Sequence, residues 1–107
     1  MEYTEEILQI ARFMGLHPIQ GISNFDGGIY YYYNNAELED YEGLPFYDNW
    51  GEIMPVVEKI ESLGGDENEF DIFGNCVQLG DKEFVGKNKI EAVIKAVNWW
   101  IFKNYKN

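Results

Sequence analysis

The sequence predicts an α+β protein in which three helices are separated by antiparallel strands, in the order α-β-β-α-β-β-(β)-α. Three observations predict this class. Apolar residues recur with helical spacing in three separate segments, and each segment begins at a residue suited to helix capping. Residues with high strand propensity fill the intervals. Glycine-containing turn signals interrupt these intervals. We therefore expect one domain spanning residues 1–107, with an antiparallel sheet of four to five strands.

The first helix is predicted from Glu5 to Met14. Thr4 is a good N-cap residue, and acidic residues occupy the first turn, where the helix dipole stabilises negative charge. Gly15 fits the left-handed position that often ends a helix.

Residues 21–33 are predicted to form a β-hairpin. Asp26-Gly27-Gly28 is a turn signal, and the tyrosine run 30–33 has high strand propensity. Because side chains alternate between the two faces of a strand, two of these tyrosines must point away from the other two. One pair can belong to a core, and the opposite pair is then either covered by another layer or exposed.

Residues 34–48 show no regular period and predict a long acidic loop. Loops of this length are uncommon in compact domains and are often functional or mobile. The acidic side chains of its first part are Glu37, Glu39, Asp40 and Glu42.

The central helix is predicted to begin after Asn49 and to end at Gly64-Gly65. Asn49 and Glu52 have the spacing of a capping box. Pro55 removes one backbone donor, and its ring presses on the carbonyl of Gly51. Since glycine lets the backbone adjust there, we expect a kink or a loosened first turn and not a broken helix.

The clearest hairpin lies at residues 70–79. Taking Gly74-Asn75 as a two-residue turn predicts these pairs: Phe73 with Cys76, Ile72 with Val77, Asp71 with Gln78, and Phe70 with Leu79. Gly80-Asp81 then turns the chain into a third strand, Lys82–Val85. In this register the apolar side chains share one face, which is what fixes the alignment of a hairpin.

The last helix is predicted to begin after Asn88, with Glu91 again at capping-box spacing. Its predicted core face consists of Ile90, Val93, Ile94, Val97 and Ile101. Aromatic residues extend the apolar surface further around this helix, which indicates that it is sandwiched or docks onto another surface.

The charge is distributed unevenly along the chain. Nineteen acidic and eight basic residues give a net charge of −11. Residues 1–81 contain seventeen acidic and two basic residues, whereas residues 82–107 contain two acidic residues and six lysines. Such a field repels nucleic-acid backbones and favours a basic protein partner. A solvated face that only maintains solubility explains the same charge pattern.

The sequence contains no pattern typical of a catalytic centre, a metal site or a cofactor site. One histidine, His17, and one cysteine, Cys76, leave no intrachain disulfide and no zinc ligand set. Residues 66–69 are acidic but lack the spacing of a calcium loop. No phosphate-binding glycine pattern is present, and no apolar run is long enough to span a membrane. We expect no enzyme activity, no cofactor, no membrane association and a cytoplasmic location.

Two segments of the chain support a resemblance to a known family. Trp50, the run 54–60 (MPVVEKI) and the run 90–93 (IEAV) are similar to small proteins of Bacteroidetes genomes and their phages, which resemble the phage ABA sandwich domain family. The match spans residues 47–64 and 89–105, about a third of the chain. The resemblance implies three α/β/α layers and a phage or prophage origin, and it implies no reaction. Small acidic phage proteins of this size often resemble anti-CRISPR proteins, which act by binding a protein.

These observations together predict a non-enzymatic phage-derived inhibitor of bacterial defence. It would bind a basic surface of an RNA-guided CRISPR nuclease, or of its RNA complex, without contacting nucleic acid directly. The predicted contact residues are Tyr31, Tyr33, Glu37, Glu39, Asp40, Tyr41, Glu42, Tyr47 and Asp48. Two alternatives stay open: a phage accessory or structural protein that self-associates through aromatic residues, and a small-molecule-binding domain.

Overall fold

The structure, a computed structural model, describes residues 3–105. Lys106, one of the six lysines of the C-terminal segment, lies outside these residues. The α+β class with three helices is confirmed. The elements in chain order are α1 (Glu5–Phe13), β1 (Ile19–Ile22), β2 (Ile29–Asn35), β3 (Asp40–Gly43), α2 (Trp50–Glu61), a short 3₁₀ turn (Asp66–Asn68), β4 (Phe70–Phe73), β5 (Cys76–Leu79), β6 (Lys82–Val85) and α3 (Lys89–Asn104).

The strands form two antiparallel sheets of three, β1-β2-β3 and β4-β5-β6, and not one sheet of four to five. The chain correspondingly divides into two compact units, residues 1–46 and residues 47–107. The first unit contains α1 and the first sheet, and the second contains α2, α3 and the second sheet. The single domain and the α/β/α layering stay predictions.

Helix α1 has the capping that its sequence predicts. The hydroxyl of Thr4 accepts a hydrogen bond from the backbone N–H of Ile7, with 3.3 Å between the two atoms. Gly15 has a φ of 86° and so takes the left-handed conformation expected after a helix end. The buried side chains of the helix are Leu8, Ile10, Ala11 and Phe13.

The first sheet includes a strand where the sequence predicts a loop. β3 lies within residues 34–48 and pairs with the second half of β2, so that Tyr32 faces Gly43 and Tyr33 faces Glu42. The prediction of an irregular loop throughout this segment is therefore wrong. The sequence Asp-Tyr-Glu-Gly has no apolar alternation, and this edge strand is specified by backbone pairing with β2 and not by a buried face of its own.

The second sheet has the predicted register. Phe73 pairs with Cys76, Ile72 with Val77, and the third strand brings Phe84 beside Val77. α3 packs on this sheet, and α2 packs on α3. The core of the unit is formed by side chains with at most 1% exposure from all three elements: Ile53, Val56, Val57, Ile60, Val77, Leu79, Ala92, Val93, Ala96 and Val97.

Helix α2 continues through Pro55 without a break, as predicted. The side chain of its N-cap, Asn49, accepts a hydrogen bond from the N–H of Glu52 at 3.0 Å. The carboxylate of Glu52 reaches back beyond the cap and accepts from the N–H of Tyr47 at 3.0 Å. The start of the helix is thus bonded to the segment that precedes it.

The junction between β6 and α3 is closed by Gly86. Its N–H donates to the carbonyl of Asn75 at 3.0 Å, and the side chain of Asn75 donates to the carbonyl of Gly86 at 2.9 Å. A Cβ atom at this position would lie 2.6 Å from the backbone nitrogen of Ala92. Only glycine therefore fits between the hairpin turn and the first turn of α3.

Among residues 3–105, none of the helices is both long enough and apolar enough to cross a bilayer.

Candidate protein-binding surface

The two faces of the first sheet carry different side chains. The register places Tyr31, Tyr33, Asn35, Asp40 and Glu42 on one face, which we call the carboxylate face. The opposite face, which we call the tyrosine face, carries Tyr30, Tyr32 and Tyr41, together with Ile19, Gly21, Asn34 and Gly43. The predicted contact residues therefore include members of both faces.

On the carboxylate face, Glu42 is the centre of a small hydrogen-bond network. Its Oε2 atom accepts from the hydroxyl of Tyr33 at 2.8 Å and from the side-chain amide of Asn35 at 3.1 Å. The bond to Glu42 raises the pKa of Tyr33 above its ordinary value, and partial burial adds to the same effect. Tyr33 and Glu42 thus stabilise the β2–β3 pair across the strands.

Tyr31 is half-buried and packs against the ring of Tyr3 in its own unit. The ring of Tyr3 meets it edge-on, with 5.6 Å between the centroids, and stacks on Phe46 at 4.2 Å. The hydroxyl of Tyr3 donates to the carbonyl of Leu44. Tyr31 is therefore part of the packing that joins the N-terminal segment to the sheet, and the most exposed tyrosines lie on the other face.

The tyrosine face presents an open row of rings. The ring centroids of Tyr30 and Tyr32 are 5.7 Å apart, and those of Tyr32 and Tyr41 are 5.5 Å apart at nearly a right angle. Tyr30 is 45% exposed and Tyr41 is 60% exposed. Of these three, the sequence predicts only Tyr41 as a contact. Alternation divides the tyrosine run into two pairs, but it does not reveal which pair is covered.

Glycines shape the backbone below this row. The ring of Tyr30 lies over Gly21 so closely that a Cβ atom there would be 2.4 Å from its Cζ atom. A Cβ atom on Gly43, by contrast, would meet nothing within 4 Å. The ring of Tyr30 thus lies against the backbone of β1. The space above the Cα atom of Gly43, beside Tyr32 and Tyr41, is empty, and we call it the open floor.

The turn between β2 and β3 displays exposed carboxylates. Glu37 donates its N–H to the side chain of Asn35 at 3.1 Å, and Glu39 has a φ of 52°. Asp40 accepts from the N–H of Tyr41 at 2.8 Å. The side chains of Glu37, Glu39 and Asp40 are all exposed. The turn is therefore an exposed acidic segment with local hydrogen bonds at one end of the sheet.

Two predicted contacts, Tyr47 and Asp48, belong to the second unit. Tyr47 is 4% exposed and has a φ of 56°. The prediction that Tyr47 contacts a partner is therefore wrong, because a side chain this buried offers almost no surface. The apolar character of its ring, which the sequence shows, accounts for the burial. Asp48 is exposed.

The charge of the first unit is strongly negative. Residues 1–46 contain eight acidic residues and one arginine, Arg12, for a net charge of −7. Arg12 forms an ion pair with Glu5 at 3.4 Å. A fully exposed Phe25 lies in the turn between β1 and β2, flanked by Ile22 and Ile29, which are 66% and 60% exposed. The unit therefore combines a negative field with exposed apolar and aromatic groups.

The environment of Cys76 does not activate its thiol. Burial raises the pKa of this thiol, and the nearby carboxylate of Glu83 raises it further. In the part of the chain that the structure describes, no three histidine, cysteine or acidic residues are arranged to hold a metal ion.

Comparison of the chain with family models, curated protein sequences and solved structures finds no match.

Proposed function

We propose that this protein is a non-enzymatic, phage-derived inhibitor of bacterial defence that binds a basic surface of an RNA-guided nuclease. The observation that supports it best is the composition of the first unit. An exposed acidic turn adjoins a sheet with exposed tyrosines, and the unit contains a single basic residue, Arg12. The target class follows from the resemblance of residues 47–64 and 89–105 to small phage proteins.

Electrostatics explains how such a unit would recognise its partner. A net charge of −7 on 46 residues attracts a basic groove and repels free nucleic acid. Exposed carboxylates mainly increase the rate of encounter and the selectivity for a basic surface. Exposed tyrosines supply the apolar contact area that charged side chains lack, which is why aromatic residues are enriched at interfaces. The protein would therefore act in the cytoplasm of the bacterial host by occupying the groove that nucleic acid uses.

The test is a binding titration against purified RNA-guided nucleases, with and without guide RNA, at 50 mM and about 300 mM salt. The informative variant neutralises the turn as Glu37→Gln, Glu39→Gln and Asp40→Asn. The matched control neutralises three exposed acids of the second unit as Asp66→Asn, Glu67→Gln and Glu69→Gln.

We expect the turn variant to weaken binding about tenfold at low salt, and the control to weaken it much less. High salt should reduce the difference, because exposed charges are screened. Binding that is insensitive to salt, or an equal loss in both variants, would contradict the electrostatic mechanism. The absence of binding to every nuclease tested would contradict the proposed target class.

Self-association is a second candidate, and a row of side chains across the second sheet favours it. Phe73, Cys76 and Val85 are cross-strand neighbours, and Phe73 and Val85 are 53% and 54% exposed. Exposed apolar rows of this kind often mark contacts between proteins. Sedimentation equilibrium from low to high micromolar concentration measures the molecular mass of the protein in solution. A monomer throughout this range would exclude self-association as the function.

A further inference from the structure

We infer that the tyrosine face, Tyr30, Tyr32 and Tyr41, recognises arginine side chains of a protein partner. The inference rests on the proposed function and specifies the chemistry of that surface. It assigns the contact to the opposite face of the sheet from Tyr31 and Tyr33. The ligand is an arginine-bearing segment whose guanidinium groups stack on the exposed rings.

The arrangement of the rings matches a planar cation. The ring of Tyr30 lies against Gly21, and the residue nevertheless remains 45% exposed. Tyr32 and Tyr41 stand nearly perpendicular to each other beside the open floor at Gly43. A guanidinium group that stacks on one of these rings would meet the edge of the other, and the space at Gly43 is free to receive it.

The surrounding charge favours a cation over a neutral ligand. The three strands place no charged side chain on the tyrosine face itself, since Asp40 and Glu42 belong to the carboxylate face. The unit nevertheless carries a net charge of −7, and the exposed Glu37 and Glu39 lie in the turn that leads to Tyr41. A cation on this face would gain from the negative field and from the rings without having to desolvate a carboxylate.

Arginine fits this surface better than lysine. Its guanidinium group is planar, more weakly hydrated than an ammonium group, and able to stack on aromatic rings. Nucleic-acid bases also stack on tyrosines, but their phosphates are repelled by this unit. An anionic membrane is repelled for the same reason. Proline-rich segments bind grooves lined by aromatic rings and are distinguished by the experiment.

The experiment is an NMR titration of the full chain with three capped peptides: hexa-arginine, hexalysine and hexaproline. The variants are Tyr30→Leu with Tyr41→Leu, which removes two rings, and Gly43→Val, which fills the open floor and keeps every ring. The control, Phe73→Leu with Phe102→Leu, removes two exposed aromatic rings of the second unit.

We expect hexa-arginine to bind the wild-type chain about three- to tenfold more tightly than hexalysine and to shift the ring resonances of the tyrosine face. The double tyrosine variant and Gly43→Val should reduce arginine binding to the lysine level. Both should leave lysine binding unchanged, and the control should bind like wild type. An unchanged dispersion of the amide spectrum verifies that each variant is folded.

The possible failures are distinguishable. Equal binding of the two cationic peptides, unaffected by the tyrosine variant, would overturn the arginine inference while leaving an acidic binding surface intact. Binding of hexaproline with the same ring shifts, and no preference for arginine, would also overturn it. If neither cationic peptide binds at low salt, the proposed function loses its electrostatic basis as well.

Discussion

Replacement of Gly86 by alanine should strongly destabilise the second unit. The added Cβ atom would lie 2.6 Å from the backbone nitrogen of Ala92 and 2.9 Å from the Cβ atom of Glu91, whereas ordinary contacts begin at 3.4 Å. The first turn of α3 would have to retreat by about 0.8 Å. That turn cannot move alone, because Ala92 and Val93 are fully buried in the core.

Overpacking of this kind costs about 2–3 kcal/mol. For a unit of this size, such a loss lowers the melting temperature by about 10 °C or more. Urea unfolding followed by tryptophan fluorescence measures the change, because Trp99 and Trp100 both lie in α3. A glycine that tolerates a side chain is the control: a Cβ atom on Gly51 would approach only Asn49 Oδ1, at 3.4 Å.

Gly51→Ala should therefore change stability by no more than about 0.5–1 kcal/mol, since the better helix propensity of alanine offsets the backbone freedom that glycine provides opposite Pro55. The opposite result is a free energy of unfolding of Gly86→Ala within about 0.5 kcal/mol of the wild-type value, with the same slope against urea concentration. In that case the close approach of the end of β6 to α3 is wrong. A loss of similar size in both variants would equally contradict the reasoning.

Three further predictions concern the hydrogen bonds and the exposed surface. The hydrogen bond to Glu42 raises the pKa of Tyr33 above 10.0 in the folded protein. The stability that this bond contributes is therefore complete below about pH 10 and is lost as the pH rises through the higher folded pKa. Urea unfolding at several alkaline pH values should show a steeper loss of stability in wild type than in Tyr33→Phe. Asn49→Ala leaves the N–H of Glu52 without its cap and should cost about 1 kcal/mol, measured by thermal unfolding. Phe25→Ser should change stability by less than about 0.5 kcal/mol in the same assay, because this side chain is 100% exposed; a larger loss would show that the ring packs against the protein.

The elements with local signals were predictable from the sequence. The caps at Thr4, Asn49 and Asn88 each bond the N–H three residues on, as the residue types and spacing indicate. The register of residues 70–79 was predictable because turn chemistry and apolar alternation agree. Each of these features depends on residues that are close together in the chain.

The features that depend on distant partners were not predictable. β3 has no apolar alternation and exists because the end of β2 pairs with it. The indole N–H of Trp100 donates to the side chain of Asn68 at 2.8 Å. The two residues are 32 positions apart in the chain, and no local sequence pattern predicts this contact. Which tyrosines of the run are covered was unpredictable for the same reason, because the ring that covers Tyr31 is that of Tyr3, in a distant segment of the chain.

The division of the chain into residues 1–46 and 47–107 separates its two kinds of chromophore. All three tryptophans lie in the second unit, whereas six of the eight tyrosines lie in the first. Tryptophan fluorescence therefore follows the second unit, and tyrosine absorbance follows mainly the first. A single urea titration read at both signals reveals whether the units unfold cooperatively: coincident curves indicate one folding unit, and separate midpoints indicate that each unit folds on its own.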